Sequence, residues 1–410
     1  MSIILLGNSV LSQIDSSRLA IQLDSLVKVG LDSAAYPGAQ VVVMMDGEVI
    51  FKKSYGYHTY ANQTPVKDYD VYDLASVSKI TTGLPILIKM HGESKFDPHN
   101  SISTYIPSFK NSNKGDISWK EVLSHQGGLV PWIAHWKKTL RKKSPHYKPR
   151  TFRPSKQKKY PIGITDQLFL HKRYRKKIFK SIKKSPLKED NSYLYSGIMF
   201  YLMPDMIASV SGYDFETYLY EQIYKPIGAS KLRFQPRNYF ELENIVPTEH
   251  DSLFRKGLVH GFVHDEGAAM MNGISCNAGL FGNALDLAKL GNLYAHLGVA
   301  YGDTVLAPAS MIFFTTAHYS EQGNRRALGF DKPLLQPDQE GWIGPCGPSA
   351  SQSSFGHSGF TGTYLWIDPK YKLVFVFLSN RLHPTRKNRK LYSLGLRQLM
   401  HEACYSNISN

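Results

Sequence analysis

The chain has 410 residues, 42% hydrophobic and 20% charged, enough apolar material for a sizeable core, which excludes a disordered chain, a collagen-like repeat and a small disulfide scaffold. Apolar runs such as Val41 to Met45 and Leu373 to Leu378 fall far short of the roughly 18 residues a membrane-spanning helix requires. The formal charge of +16 belongs to one segment: residues 137 to 188 hold 20 Lys or Arg against a single acid, Asp166, while the rest of the chain has 29 bases and 32 acids, so this is not the footprint of a nucleic-acid-binding protein.

In chain order, the opening MSIILLGNSVLSQ lacks a basic n-region and is short of a secretory signal peptide, which fits a cytoplasmic protein or a mature form. Residues 17 to 31 place apolar side chains at helical spacing, and residues 39 to 55 form two β-rich runs around Asp46-Gly47, a hairpin signal. Gly83 to Met90 is a strongly apolar helical run, and Ser118 to Glu121 has capping-box spacing. The basic segment carries prolines at 145, 149, 154 and 161 and then Tyr174, Ile178 and Ile182 four apart, which reads as a long excursion ending in a short amphipathic helix. Residues 283 to 297 carry an apolar stripe, Thr363 to Ile367 and Lys372 to Leu378 are strand-like around Asp368-Pro369-Lys370, and 386 to 403 reads as a closing helix.

The expected fold class is α+β: an antiparallel sheet built from both chain ends, residues 1–75 and 291–410, flanked by helices. A mostly helical part, residues 76–290, is inserted between them and includes the basic insertion 137–188. The cysteines Cys276, Cys346 and Cys404 are too few for a disulfide framework and read as packing residues.

GxSxG, HExxH, P-loop, GxGxxG and CxxC signatures are all absent. What remains is Ser-x-x-Lys, which sets an amine beside a hydroxyl one helical turn away. It occurs at Ser25, Ser76, Ser155, Ser181 and Ser185. Three of these lie in the Lys/Pro-rich segment and Ser25 in the first helix, whereas Ser76-Val77-Ser78-Lys79 precedes the apolar run. That predicts a serine at the start of a buried helix, where first-turn N–H groups favour developing negative charge.

Two more segments, YLYSGIMFYLM at 193 to 203 and FGHSGFTGT at 355 to 363, complete a pattern. Over about residues 30 to 382 the chain resembles the serine penicillin-recognising enzymes: class C β-lactamases, DD-peptidases and related esterases. That family carries Ser-x-x-Lys, Tyr-x-Asn and Lys/His-Thr-Gly in this order, matched by Ser76 to Lys79, Tyr195-Ser196-Gly197 and His357-Ser358-Gly359. The stretches VYDLASVSKITTG, WKEVLSHQGGL, NAGLFGNALDLAKL and GHSGFTGTYLWIDP agree as well.

The resemblance implies a β-lactamase/transpeptidase-like fold and a serine hydrolase that cleaves an amide or ester through an acyl-enzyme at Ser76. Lys79 or Tyr195 takes the serine proton, and the backbone N–H groups of Ser76 and Phe360 form the oxyanion hole. His357 joins the catalytic group, while Gly197, Ser358 and Gly359 bind substrate. No cofactor and no metal are implied. The expected partner is a small acyl compound, such as a peptidoglycan fragment or a β-lactam, handled outside the cytoplasm. A non-catalytic sensor on the same fold and a small-ester esterase are the alternatives.

Two departures bear on substrate. Gly197 stands where the family has Asn or Asp, removing a side-chain amide. His357 replaces the lysine of class C β-lactamases and offers less permanent charge to a substrate carboxylate, which favours a DD-peptidase-like or esterase-like reaction over efficient β-lactamase activity. His125 and the His264-Asp265 pair read as loop-fixing residues, and Trp132 and Trp136 either line the site mouth or pack in the core. The basic segment reads as a solvated excursion, with contact to an anionic cell-wall polymer or membrane surface as the alternative.

Overall fold

A computed structural model describes residues 14–190, 192–336 and 344–409; the signal-peptide reading of the opening 13 residues lies outside them. The first helix, Ser16–Asp32, starts at Asp15, whose carboxylate accepts the Arg18 N–H, and it buries Leu19, Leu23 and Val27. The hairpin follows as Gly38–Met45 and Glu48–Gly56. Its tight turn needs two left-handed residues, supplied by Asp46 (φ 47°) and Gly47 (φ 88°). The C-terminal run contributes Phe355–Ser358, Tyr364–Asp368 and Leu373–Ser379.

These five strands form one antiparallel sheet in the order just given for the C-terminal three, then Gly38–Met45, then Glu48–Gly56 at the edge. Val42 pairs with Val376 at the centre, so both chain ends share the sheet's middle. Gly38–Met45 is buried along its whole length because both faces are covered. Val41 and Val43 point to the layer made by Ser16–Asp32 and the last helix, Leu396–Tyr405, whereas Val42 and Met44 point to the main core beneath. Each fully buried aliphatic side chain of this kind contributes about 1.5–3 kcal/mol.

The expected 386–403 helix is instead Lys390–Ser393 and Leu396–Tyr405, separated by Gly395 in the left-handed region (φ 59°). Arg386 lies ahead of both, its backbone N–H and its guanidinium bonded to Glu249. The expected division at residue 290/291 falls inside Ala284–Ala295, a helix that packs against the sheet; a Cβ on Gly291 would lie 2.5 Å from Val374. Conversely, Pro308–Thr315 packs on the central helix Gly83–Gly92 rather than on the sheet.

Within the basic segment the amphipathic helix is Arg173–Lys183, burying Tyr174, Ile178 and Ile182. The preceding excursion is not irregular throughout. It holds a small antiparallel sheet of Phe152–Arg153, Leu168–Leu170 and Ile162–Thr165, whose runs of 2, 3 and 4 residues are too short to signal from composition. All three cysteines are free and buried. Among the described residues no helix is long and apolar enough to cross a membrane.

Candidate active site

Ser76 lies in the 3-10 turn Ala75–Val77, which runs into Ser78–Thr81 and, after a break at Thr82 (φ −117°, ψ −87°), into Gly83–Gly92. The single buried helix expected from the sequence is thus divided, with the serine in a tighter turn ahead of it. Asp73 accounts for the start of that turn. One carboxylate oxygen accepts the Ala75 N–H at 2.8 Å and the other the His264 N–H at 2.6 Å, and Ala75 is held at φ 46°, a left-handed conformation that a residue with a Cβ adopts only when its surroundings compel it. Lys79 follows one turn later, 1% exposed, and its ammonium donates to Ser76 Oγ at 3.1 Å and to the Asn277 carbonyl at 3.0 Å.

The Tyr195-Ser196-Gly197 segment is a loop held by its neighbours. The Ser196 N–H donates to His125 Nδ1, the Leu194 N–H to the His125 carbonyl, the Ser196 hydroxyl to the Val130 carbonyl and the Gly197 N–H to the Pro131 carbonyl. Burial and neighbouring cations keep His125 neutral, so this histidine fixes the loop, as read from sequence, with its ring 4.5 Å from that of Tyr195. The Tyr195 ring lies beside Lys79, whose ammonium is 5.3 Å from its centre. Burial pushes the phenol's pKa up, but Lys79, Arg326 and Ser76 together pull it below the ordinary phenol value.

The third segment is drawn against the residues just before Ser76. Thr361 and Thr363 donate their hydroxyls to the carbonyls of Asp73 and Leu74, at 2.7 and 2.9 Å. Gly359 sits so close that a Cβ there would be 2.0 Å from Thr363 Oγ1 and 2.7 Å from the Leu74 carbonyl. Glycine is therefore needed for packing, and the turn carrying the Phe360 N–H is brought beside the Ser76 turn. The Phe360 side chain itself is 44% exposed. Ser358 is exposed at the strand end and lines a cavity with Tyr364 and Arg397, while His357, one residue earlier, faces the catalytic side.

His357 is buried with its Nδ1 2.8 Å from the Ser358 carbonyl, the geometry of a donated Nδ1–H that leaves Nε2 as an acceptor. That Nε2 faces Arg326 Nη2 at 3.4 Å. Burial, Arg326 and Lys79 hold its pKa well below the ordinary histidine value, so the ring is a neutral hydrogen-bonding group. The permanent cation at this position is Arg326, which the sequence did not single out. It is 3% exposed, paired with Asp331 at 3.0 Å and 5.3 Å from the centre of the Tyr195 ring. Its Nε is buried without a partner among the described residues.

With this geometry in place, the chain can be set beside known proteins. The sequence profile of the family described as Beta-lactamase matches residues 23–399. The chain belongs to the β-lactamase family. It is a hydrolase of the serine β-lactamase and penicillin-binding type. It is 28% identical to the Escherichia coli K12 protein named "Putative D-alanyl-D-alanine carboxypeptidase", over 91% of this chain and 86% of that protein. It is 27% identical to the Bacillus subtilis "N-acetylmuramyl-L-alanine amidase", over 92% and 84%. The fold is that of a class C β-lactamase crystal structure, with TM-score 0.66 at 15% identity, covering 96% of this chain and 99% of the other.

Against the family pattern, the missing side chain at Gly197 has a local counterpart. A Cβ on Gly197 would lie 2.1 Å from Asn277 Oδ1, so the Asn277 amide already fills that space. Its Nδ2 donates to the Tyr201 hydroxyl at 3.1 Å, and Tyr201 in turn donates to Asp265 at 2.7 Å. Asn277 is visible in the NAGLFG stretch but carries no motif, and its meeting with residue 197 is a tertiary event. Arg326 and Asp331 sit in RRALGFD, where only a charged pair bracketing an apolar run hints at burial. Of the tryptophans, Trp136 is buried against Phe254 and Trp132 is 52% exposed.

Proposed function

We propose that this family member is an amide hydrolase of the DD-peptidase or cell-wall amidase type, with Ser76 as its nucleophile. The observation that carries the reading is the hydrogen bond of the Lys79 ammonium to Ser76 Oγ, with the Tyr195 ring 5.3 Å from the same ammonium and its phenol pKa depressed. Tyr195 accepts the Ser76 proton as Oγ attacks the substrate carbonyl carbon, and Lys79, held by the Asn277 carbonyl, steadies the negative phenolate oxygen. The N–H groups of Ser76 and Phe360 take the oxyanion. The proton then passes from Tyr195 to the leaving amine nitrogen, the C–N bond breaks, and water releases the acyl group by the same steps in reverse. The two curated relatives named above, each aligned over most of its length, support an amide of peptidoglycan type, and such a substrate supports an extracytoplasmic location.

The test is intact-protein mass after incubation with a fluorescent penicillin, together with turnover of a D-alanyl-D-alanine peptide and a muramyl-L-alanine amide, on native protein and Ser76→Ala. The expected result is acylation or turnover by the native chain and a loss of about 10³-fold or more in the variant. Equal activity in the two would remove Ser76 from the mechanism.

A further inference from the structure

The basic segment is not uniformly a solvated surface. Because Arg173–Lys183 buries Tyr174, Ile178 and Ile182, the helical period puts Lys177, Lys180 and Lys184 on a second stripe. That stripe faces residues 130–134 across a groove of about 730 Å³, whose lining also includes Lys138, Trp132 and Ile133. All four lysines are exposed, and among the described residues none is in an ion pair with an acid. Lys138 donates to the Ser181 hydroxyl at 2.6 Å, and Lys177 lies 4.4 Å from the centre of the Tyr174 ring. Of the nearby acids, Asp166 is engaged with Arg237, Asp190 with Lys188 and Asp205 with Arg175.

The groove runs up to the catalytic loop. Val130, in its wall, supplies the carbonyl that takes the Ser196 hydroxyl, and the next carbonyl, Pro131, takes the Gly197 N–H. These are the two residues after Tyr195, so a ligand in the groove lies against the backbone that positions the catalytic phenol. We propose that the groove binds an arm of the substrate carrying two or more carboxylates, an acidic peptide or glycopeptide, with Trp132 against its apolar or sugar portion and the scissile carbonyl reaching Ser76. This deepens the amide-hydrolase reading and rests on it. Lysines spaced along a concave wall suit a flexible chain of separated carboxylates, each screened but together additive. A membrane surface is disfavoured because Trp132 is the one large exposed apolar side chain at the groove.

The experiment uses the full chain and two synthetic peptide amides identical around the scissile bond, one with two free carboxylates in the acyl arm and one with both amidated. A small neutral activated ester reports on the Ser76 chemistry alone. The ratio of kcat/KM for the acidic over the amidated peptide is expected to be about tenfold at low salt, and to shrink as salt screens the groove. In the Lys177→Gln/Lys180→Gln/Lys184→Gln variant, checked for folding by thermal melting, the ratio falls towards one, chiefly through KM.

A ratio near one in the native chain, or one the triple variant leaves unchanged, overturns the groove assignment. Failure to turn over the ester or either peptide instead counts against the hydrolase reading, and the groove is then judged by fluorescence anisotropy of the labelled acidic peptide on Ser76→Ala, where lysine-independent or absent binding overturns it. Lysine-dependent binding to phosphatidylglycerol vesicles, with no peptide preference, overturns it in favour of a membrane contact.

Discussion

Two parts of the molecule hold their charges in opposite ways. In the catalytic cleft Lys79, Arg326 and Asp73 are nearly inaccessible, and each is engaged: Lys79 by Ser76 and the Asn277 carbonyl, Arg326 by Asp331 and His357, Asp73 by the N–H groups of Ala75 and His264. In the 137–188 segment there are many more charges, and most point into water. A buried charge polarises its neighbours strongly and is costly to leave unpaired, whereas an exposed one acts weakly and only in concert with others. In the proposed reaction three buried groups therefore govern the chemistry, while 20 basic residues act at most on what approaches it.

The sharpest way to break this contrast is Arg326→Met. Loss of the guanidinium removes one of the two arginines paired with Asp331, Arg325 remaining at 2.9 Å, at a cost of about 1.5–3 kcal/mol, and withdraws one of the two cations that hold the Tyr195 phenol low. Turnover is expected to fall about 10²-fold. The signs are separable: activity needing deprotonated Tyr195 rises with pH through its depressed pKa, so this limb moves to higher pH in the variant, while Arg326→Lys keeps much of it in place. A pH profile of kcat/KM and a denaturant titration check both parts. A limb that does not move would show that Arg326 supports the fold alone.

Next comes the acid stability of the cluster behind the nucleophile turn. Glu249 bonds His264 and Arg386, and burial raises its pKa while these partners lower it further, to about 2 from an ordinary 4.5. The stability this adds, about 3 kcal/mol at neutral pH, is fully present above the ordinary value and is lost as pH falls from about 4.5 through 2. Urea titrations across that range should show this loss in the native chain and a flatter profile in Glu249→Gln.

A smaller effect tests the Gly197–Asn277 contact. Gly197→Asn places a Cβ 2.1 Å from Asn277 Oδ1 and is expected to cost about 1–3 kcal/mol, with activity impaired by displacement of the Tyr195 loop. Adding Asn277→Gly should relieve the clash, and a double-mutant cycle on melting temperature measures the coupling. The smallest effect is Lys176→Gln, an exposed change outside the groove, expected within about 0.5 kcal/mol of native by the same titration.

Much of the architecture was legible because it is locally encoded. The first helix, the Asp46-Gly47 hairpin, the Ser118–Glu121 capping box and the C-terminal strand pair each carry their periodicity or turn chemistry within a dozen residues or so. The small sheet at 152–170 was not legible, since its short strands are stabilised by the helix and loops around them. The divided helix at Ser76 was missed for a related reason: the carboxylate that starts the turn is held by His264, 191 residues away.

What the sequence determines by itself, then, is the α+β fold, the chain-end sheet and the three ordered segments around Ser76, Tyr195 and His357, because residue type and short spacing carry that information. Only the tertiary structure decides that His357 is neutral, that Arg326 is the cation beside Tyr195 and that Asn277 fills the space beside Gly197. Those outcomes depend on desolvation and on distances between residues far apart in the chain, and neither is a property of any segment alone.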